Sequence, residues 1–122
     1  MLKGKNRNAV ENDYYCFPDK LYADCIYETI DRVRHIRNPQ NPNGPKILII
    51  KDSFVEFLYQ FFVPACSEVE LVDCRNYEGK ILDYLKKDQP DLVLLMYNAS
   101  MFLRPYMFRF DAPLPPGADY RR

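Results

Sequence analysis

The sequence predicts an α/β protein built on a parallel sheet. Two continuous apolar runs, at residues 47–50 and 92–97, are typical of strands that are covered on both faces. A third, shorter strand is predicted at residues 69–73, and apolar residues at helical spacing lie on either side of it. Strand, helix, strand, helix and strand joined by short links imply right-handed βαβ units.

The first predicted helix follows the strand at residues 47–50. Its apolar positions recur at i, i+3, i+4, i+7 and i+8, and are Phe54, Phe57, Leu58, Phe61 and Phe62. We expect this helix to end near Pro64, because proline interrupts helical hydrogen bonding.

The second predicted helix spans about residues 78–87 and places Ile81, Leu82 and Leu85 on one side. The turn formed by residues 89–91 then leads into the strand at residues 92–97, for which we expect burial on both faces.

We divide the chain into three parts. Residues 1–45 are an irregular N-terminal segment closing in a loop, residues 46–104 are the βαβαβ core, and residues 105–122 are a C-terminal tail. Residues 22–36 fit a helix and an extended segment equally, and the pattern leaves both open. The residues beyond 99 begin as a possible aromatic helix, and the proline-rich end predicts a loose tail.

Composition excludes several classes of function. The 122 residues carry 17 basic and 17 acidic side chains, so no charge excess suggests nucleic acid or an anionic membrane as partner. No apolar run approaches the ~20 residues of a spanning helix, and the first residues lack a signal-peptide core. We therefore expect a soluble chain without an export signal.

Four cysteines, Cys16, Cys25, Cys66 and Cys74, show neither a CxxC pair nor histidine at zinc-site spacing. Reduced, partly buried thiols are the first expectation, a disulfide the second and a metal site the third. No cofactor and no metal is expected.

The most informative feature is the set of residues that follow the three strands. In open parallel sheets the working site lies beyond the carboxyl ends of the strands. Those ends carry Lys51, Asp52 and Ser53, then Asp73, Cys74 and Arg75, then Tyr97 and Asn98. Adjacent strands would bring these side chains together.

Each of these residues also has a purely structural interpretation. Ser53 is either a helix N-cap or a nucleophile presented at the sheet edge, and Asp52 is an alternative cap. Asp73 and Arg75 could form an ion pair that holds a loop. Asn98 is as well placed for a turn as for donating to an oxyanion. His35, the one histidine, is a weak candidate for a general base.

Three blocks resemble one family. KILIIKDSF, VELVDCRNYEGKI and PDLVLLMYNASMF, in that order, resemble the C-terminal part of the DHHW family of bacterial proteins. This family belongs to the SGNH hydrolase-like group, which includes alginate O-acetylation proteins. The resemblance covers roughly residues 38–102, and the strand-Lys-Asp-Ser and Asp-x-Arg-x-Tyr blocks are its most specific parts.

The resemblance implies a three-layer, SGNH-hydrolase-like (flavodoxin-like) α/β fold. It also implies a serine esterase or O-acyltransferase that acts on acylated carbohydrate or polysaccharide. Carried over by position, Ser53 matches the nucleophile, Asp73 and Arg75 match the Asp-x-Arg element that shapes the pocket, and Asn98 matches the polar end of the last strand. Family members are usually exported or anchored, which implies the cell envelope or the extracellular space for a full-length protein.

The sequence departs from the family at the general base. The name-giving Asp-His-His-Trp motif lies upstream of the serine in the family, whereas this chain has neither that motif nor any tryptophan. The resemblance therefore implies an incomplete domain that is inactive alone, with a missing N-terminal half or a partner chain as its complement.

Two further classes stay open from the sequence. One is a non-catalytic α/β module that binds carbohydrate or a partner through Asp73, Arg75, Asn98 and the tyrosines. The other is a receiver-like domain, which is disfavoured because the first strand lacks an acidic pair and no lysine follows the third.

Overall fold

A computed structural model describes residues 25–113. Five strands form one sheet in the order β1-β2-β4-β3-β5. They are β1 (Ile26–Ile30), β2 (Val33–Arg37), β3 (Lys46–Lys51), β4 (Glu68–Asp73) and β5 (Leu92–Met96), and α1 (Ile81–Asp88) is the α-helix of this region. Within residues 25–113, no helix has the length and apolar character needed to cross a bilayer.

The first two strands form a hairpin. Asp31 and Arg32, the two residues between β1 and β2, both have positive φ angles, of 50° and 66°. Two consecutive left-handed residues form the kind of turn whose twist matches that of the flanking strands. The structure thus adopts the extended alternative for residues 26–37, and β2 pairs antiparallel with β4, so the sheet begins upstream of the predicted core.

The predicted parallel arrangement is confirmed for the three strands of the core. β3 lies at the centre of this unit and pairs in parallel with β4 on one side and β5 on the other. Residues 47–51 are all buried, as the continuous apolar run predicted. The sheet as a whole is mixed, because the β1–β2 hairpin adds antiparallel pairs at one edge.

The segment after β3 differs from its prediction. Three short 3-10 turns, Ser53–Phe57, Tyr59–Phe61 and Val63–Ala65, replace the single amphipathic helix. The buried side is also different: Val55, Tyr59 and Val63 enter the core, whereas Phe54 and Phe61 are exposed. The spacing of the phenylalanines therefore predicted the wrong buried side. Val55, Tyr59 and Val63, which are four positions apart on the opposite side of the segment, pack in the core.

Helix α1 is shorter than predicted, and the side that faces the sheet differs from the predicted one. Ile81 is buried and Tyr84 and Leu85 pack beside it, but Leu82 is 40% exposed. Gln89 ends the helix in the left-handed conformation, and its N–H donates to the carbonyl of Leu85. Lys86 and Lys87 in the last turn complement the helix dipole.

Each face of the sheet has its own apolar cluster. Ile47, Ile49, Val69 and Leu71 pack against the 3-10 turns on one face. Leu48, Ile50, Val72 and Ile81 form the cluster on the α1 face.

The prediction of burial on both faces of β5 is wrong for the described part of the chain. Leu92, Val93 and Leu95 are 40–50% exposed, and β5 is the edge strand next to β3. A continuous apolar run indicates a strand but not its position in the sheet.

Two 3-10 turns, Ala99–Leu103 and Pro105–Phe108, follow β5 in place of the possible aromatic helix. The Leu82 N–H donates to the Phe110 carbonyl at 2.9 Å, which attaches the end of this segment to α1. Most of the predicted N-terminal segment, including Cys16, and the prolines of the predicted tail beyond residue 113 lie outside the described residues.

Candidate functional site

The carboxyl ends of β4, β3 and β5 meet at one edge of the sheet, because these strands are adjacent and parallel. The register places Lys51 beside Asp73 on one side and beside Met96 on the other. The polar residues predicted from the strand ends therefore emerge at the same level, as expected for a parallel sheet.

Asp52, rather than Ser53, caps the first turn after β3. The Asp52 side chain is 1% exposed, and its Oδ1 accepts a hydrogen bond from the Phe54 N–H at 2.9 Å. The sequence had left both residues open as the cap, and the structure selects the carboxylate. Ser53 is exposed, and its hydroxyl makes no hydrogen bond to any residue in the range 25–113.

The second carboxylate oxygen of Asp52 joins two strand ends. Asp52 Oδ2 accepts a hydrogen bond from the Asn98 N–H at 2.7 Å, across 46 positions of sequence. Asn98 in turn caps the Ala99–Leu103 turn, its Oδ1 accepting from the Ser100 N–H at 2.8 Å. One buried carboxylate thus fixes the backbone on both sides of Ser53 relative to Asn98.

Asp73 and Arg75 form the ion pair that was the structural alternative for these residues. Arg75 Nε donates to Asp73 Oδ1 at 2.9 Å, and its terminal nitrogen lies 2.6 Å from Oδ2. The Arg75 N–H also donates to Oδ1, at 3.0 Å. The hydrogen-bonded Asp73 carboxylate raises the pKa of Arg75. The negative charge of Asp52 adds to this effect, because it also stabilises the guanidinium cation. This fork-to-fork geometry fixes the loop beside Ser53.

Two charged residues near this edge, Glu56 and Arg34, were not predicted to contact the end of β3. Lys51 is 7% exposed, and its ammonium lies 2.6 Å from Glu56 Oε1. Arg34 lies 3.0 Å from Glu56 Oε2, so Glu56 joins β2 and β3 below the Ser53 turn. The signal in the sequence was a lysine ending a buried strand, five residues before a glutamate, and only the 3-10 turn brings them together.

Tyr97 connects the strand ends on the α1 face. Its hydroxyl donates to the Met107 carbonyl at 2.6 Å and lies 3.4 Å from Cys74 Sγ. Burial raises the pKa of both the Tyr97 hydroxyl and the Cys74 thiol, so both groups stay neutral near pH 7. These contacts support the site and hold the segment beyond β5.

His35 lies away from Ser53. It is paired with Glu70 in the β2–β4 register, and Glu70 is level with Leu48 of β3. His35 is therefore three residues from Lys51 along the strand direction, which is roughly 10 Å. It is also two strands away across the sheet, which is again roughly 10 Å. His35 Nδ1 also lies 3.0 Å from Glu68 Oε1, an arrangement that occupies the imidazole.

His35 belongs to a second polar cluster, on the α1 face. Its other members are Glu68, Glu70, Lys46, Tyr84 and Asp88. Burial raises the pKa of Glu70 to about 7, and the neighbouring Asp88 carboxylate adds to the rise. The same contact, together with Lys46, lowers the pKa of Asp88 despite its burial.

Cys25, Cys66 and Cys74 are buried free thiols. The first expectation for the cysteines is therefore met for these three residues, and Cys16 lies outside the described range.

Comparison with solved structures identifies a similar fold. PatB1 from Bacillus cereus is 25% identical to this chain, with a TM-score of 0.57, over 68% of this chain and 27% of PatB1. PatB1 with a sulfonyl adduct matches in the same way, at 24% identity. The described fold is similar to part of PatB1. The chain spans little more than a quarter of the length of that structure.

A DHHW family protein from Eubacterium siraeum is also similar, with 28% identity over 53% of this chain and 21% of that protein and a TM-score of 0.49. No protein-family model and no curated protein matches the sequence.

Proposed function

We propose that this chain forms part of an SGNH-like serine esterase or O-acyltransferase of the DHHW type, with a three-layer α/β fold, acting on acylated carbohydrate. The observation that carries the proposal is the position of Ser53. It is exposed directly after the central parallel strand, and Asp52 has taken over the capping role that would otherwise explain a serine there. The similarity to PatB1 and the resemblance of the strand-end blocks support the same assignment.

In the proposed reaction, Ser53 Oγ attacks the carbonyl carbon of an acyl ester. The bond to the sugar oxygen breaks, the sugar leaves as an alcohol with the proton that the serine lost, and the acyl group stays on Ser53. Water or a second sugar hydroxyl then takes the acyl group, giving hydrolysis or transfer. Asn98 is suited to stabilise the oxyanion through its side-chain N–H₂, because its Oδ1 already accepts from Ser100.

The reaction needs a base, and residues 25–113 place no histidine near Ser53. A serine hydroxyl is activated by a histidine held by a carboxylate. The chain contains one histidine, and His35 is engaged with Glu68 far from the strand ends. We propose that a further polypeptide segment, an N-terminal half or a partner chain, supplies the base, and that the complete protein works in the cell envelope or outside the cell.

A non-catalytic α/β binding module is the second candidate. The observation that favours it is the closed Asp73–Arg75 ion pair, which is complete without any substrate. In this case Ser53 is an exposed hydroxyl without a catalytic role, and Arg75 stabilises the loop after β4 through its ion pair with Asp73.

Labelling with a fluorophosphonate, followed by peptide mass spectrometry, separates the two candidates. The reaction is run with and without imidazole, which substitutes for a missing histidine side chain. We expect an adduct on Ser53 that imidazole increases and that disappears in Ser53→Ala. Ser100→Ala is the matched control, because Ser100 is also an exposed serine in a turn at this edge.

Equal labelling of Ser53 and Ser100 would show ordinary hydroxyl reactivity and contradict the proposal. Absence of labelling, with imidazole and with an added segment that carries an Asp-His pair, would favour the binding module.

A further inference from the structure

A histidine and two glutamates converge on the α1 face of the sheet, at the end away from Ser53. Glu68 and Glu70 point to the same face because side chains alternate along β4, and His35 lies opposite Glu70 in the β2–β4 register. His35 Nδ1 is 3.0 Å from Glu68 Oε1 and 3.5 Å from Glu70 Oε1. One donor atom from each of the three residues lies within 4.8 Å of the others.

These separations suit donors that share one ion. Zinc binds imidazole nitrogen and carboxylate oxygen at about 2.0–2.2 Å, so two ligands of a tetrahedral site lie about 3.3 Å apart. The imidazole-to-carboxylate separations lie on either side of this value. One imidazole and two carboxylates form a borderline donor set that suits Zn²⁺ better than Mg²⁺.

The cluster also carries more negative than positive charge. Among residues 25–113, the ammonium group that pairs with Glu68, Glu70 and Asp88 is that of Lys46. Lys46 Nζ is closest to Asp88 Oδ1, at 2.6 Å, and lies 3.0 Å from Glu70 Oε1. Within the described residues this contact forms an ion pair without hydrogen-bond geometry, so Glu70 Oε1 has no hydrogen bond although the side chain is 0% exposed. The Lys46 ammonium therefore supplies the positive charge beside this buried oxygen, and a bound metal ion would take its place.

The surroundings provide an oriented ligand and an entry path. Tyr84 donates its hydroxyl hydrogen bond to Glu70 Oε2 at 2.8 Å, which leaves Oε1 beside Lys46, at 3.0 Å, and His35, at 3.5 Å. An open cavity of about 500 Å³ is lined by His35, Lys46, Tyr84 and Asp88. It gives an ion access from solvent to His35, whereas Glu68 and Glu70 do not line it.

We propose that His35, Glu68 and Glu70 bind one divalent transition-metal ion, with Zn²⁺ the best match to their donors. The ion fastens β2 to β4, and therefore attaches the β1–β2 hairpin to the parallel core. Lys46 is 28% exposed and moves fully onto Asp88 when the ion takes its place beside Glu70. The site is separate from Ser53 and does not depend on the function proposed for that residue.

The test is isothermal titration of the chelator-treated full chain with Zn²⁺. We expect one ion per chain with a Kd in the micromolar range or tighter, a higher Tm, and no comparable binding of Mg²⁺. His35→Gln and Glu68→Gln should each weaken binding by at least the roughly 10–100-fold that loss of an outer-sphere partner causes. Glu78→Gln is the matched control, since Glu78 is an exposed glutamate paired with Arg32, and it should leave the Kd unchanged.

Two further measurements keep the proposal falsifiable. Lys46→Met removes the competing ammonium and should tighten zinc binding, whereas a cluster that binds only protons would gain no zinc affinity. X-ray absorption should show nitrogen and oxygen ligands at about 2.0 Å and no sulfur at about 2.3 Å, which excludes the cysteines. Millimolar or weaker binding, sulfur ligation, or equal affinity in the three glutamine variants would overturn the proposal.

Discussion

Replacing Asp52 by alanine tests the connection between the strand ends. Asp52 is 1% exposed and accepts two backbone hydrogen bonds, from Phe54 at 2.9 Å and from Asn98 at 2.7 Å. A hydrogen bond to a charged group contributes about 1.5–3 kcal/mol, and part of this is recovered because water can reach two donors near the surface. We therefore expect Asp52→Ala to lower the free energy of unfolding by about 3 kcal/mol.

Urea denaturation measures this loss through the shift of the midpoint at constant slope. Asp52→Asn keeps one acceptor oxygen, so it should lose about half as much. Asp91→Ala is the matched control: Asp91 Oδ2 accepts one hydrogen bond, from the Lys46 N–H at 2.8 Å, and Asp91 is exposed. That variant should lose about 1 kcal/mol or less.

Hydrogen exchange gives a local readout of the same variant. The Asn98 amide should lose its protection in Asp52→Ala, while amides in the middle of β3 change with global stability alone. A loss below about 1 kcal/mol for Asp52→Ala, or an unchanged Asn98 amide, would show that Asp52 does not hold the two strand ends together.

Three other predictions concern the loop before β3, the buried acid and the thiols. Gly44→Ala should lower the free energy of unfolding, measured in urea, by about 1–3 kcal/mol, because its Cβ would lie 2.9 Å from the backbone of Cys66 and Ser67. Gly79→Ala is the control: its Cβ would lie 3.2 Å from the flexible ring of Tyr77, so the loss of stability should be much smaller. Glu70 has a folded pKa of about 7 against an ordinary value of 4.5, so the folded state holds more protons between these values. In metal-free buffer, stability should accordingly fall as pH rises through this window, by at most about 1.4 kcal/mol per pH unit, and Glu70→Gln should flatten the profile; an equally steep fall in that variant would contradict the assignment. Cys25, Cys66 and Cys74 should resist iodoacetamide in the native state and react in denaturant, and rapid native labelling of Cys74 would contradict its burial and raised pKa.

The sequence was informative about strands and their ends. A continuous apolar run identified β3, and the alternation of elements predicted that β3, β4 and β5 are parallel. Because parallel strands end at a common edge, the placement of Asp52, Asp73 and Asn98 followed from topology alone.

The sequence was less informative where tertiary contacts decide. Phe54 and Phe61 fit the apolar face of a helix, yet both are exposed. The segment packs against the sheet through Val55, Tyr59 and Val63 instead. The exposed β5 shows the same limit, since a strand's neighbours are not encoded in its own composition.

Long-range polar contacts were hardest to predict. His35 and Glu68 are 33 positions apart and meet only through the β2–β4 register. The Asp52–Asn98 hydrogen bond spans 46 positions. The sequence offered Asp52 as an alternative cap and Asn98 as a turn residue, but not the connection between them.

Trapping an acyl group on Ser53 would show that this serine is a nucleophile. The chain is incubated with 4-nitrophenyl acetate and imidazole, quenched in acid and mapped by peptide mass spectrometry. We expect an acetyl group on Ser53, seen as a mass gain of about 42 daltons when it replaces the hydroxyl hydrogen, and we expect it to decay on dilution as water deacylates the serine. Acetylation confined to lysines and the exposed Ser100, with Ser53 unmodified, would contradict this prediction.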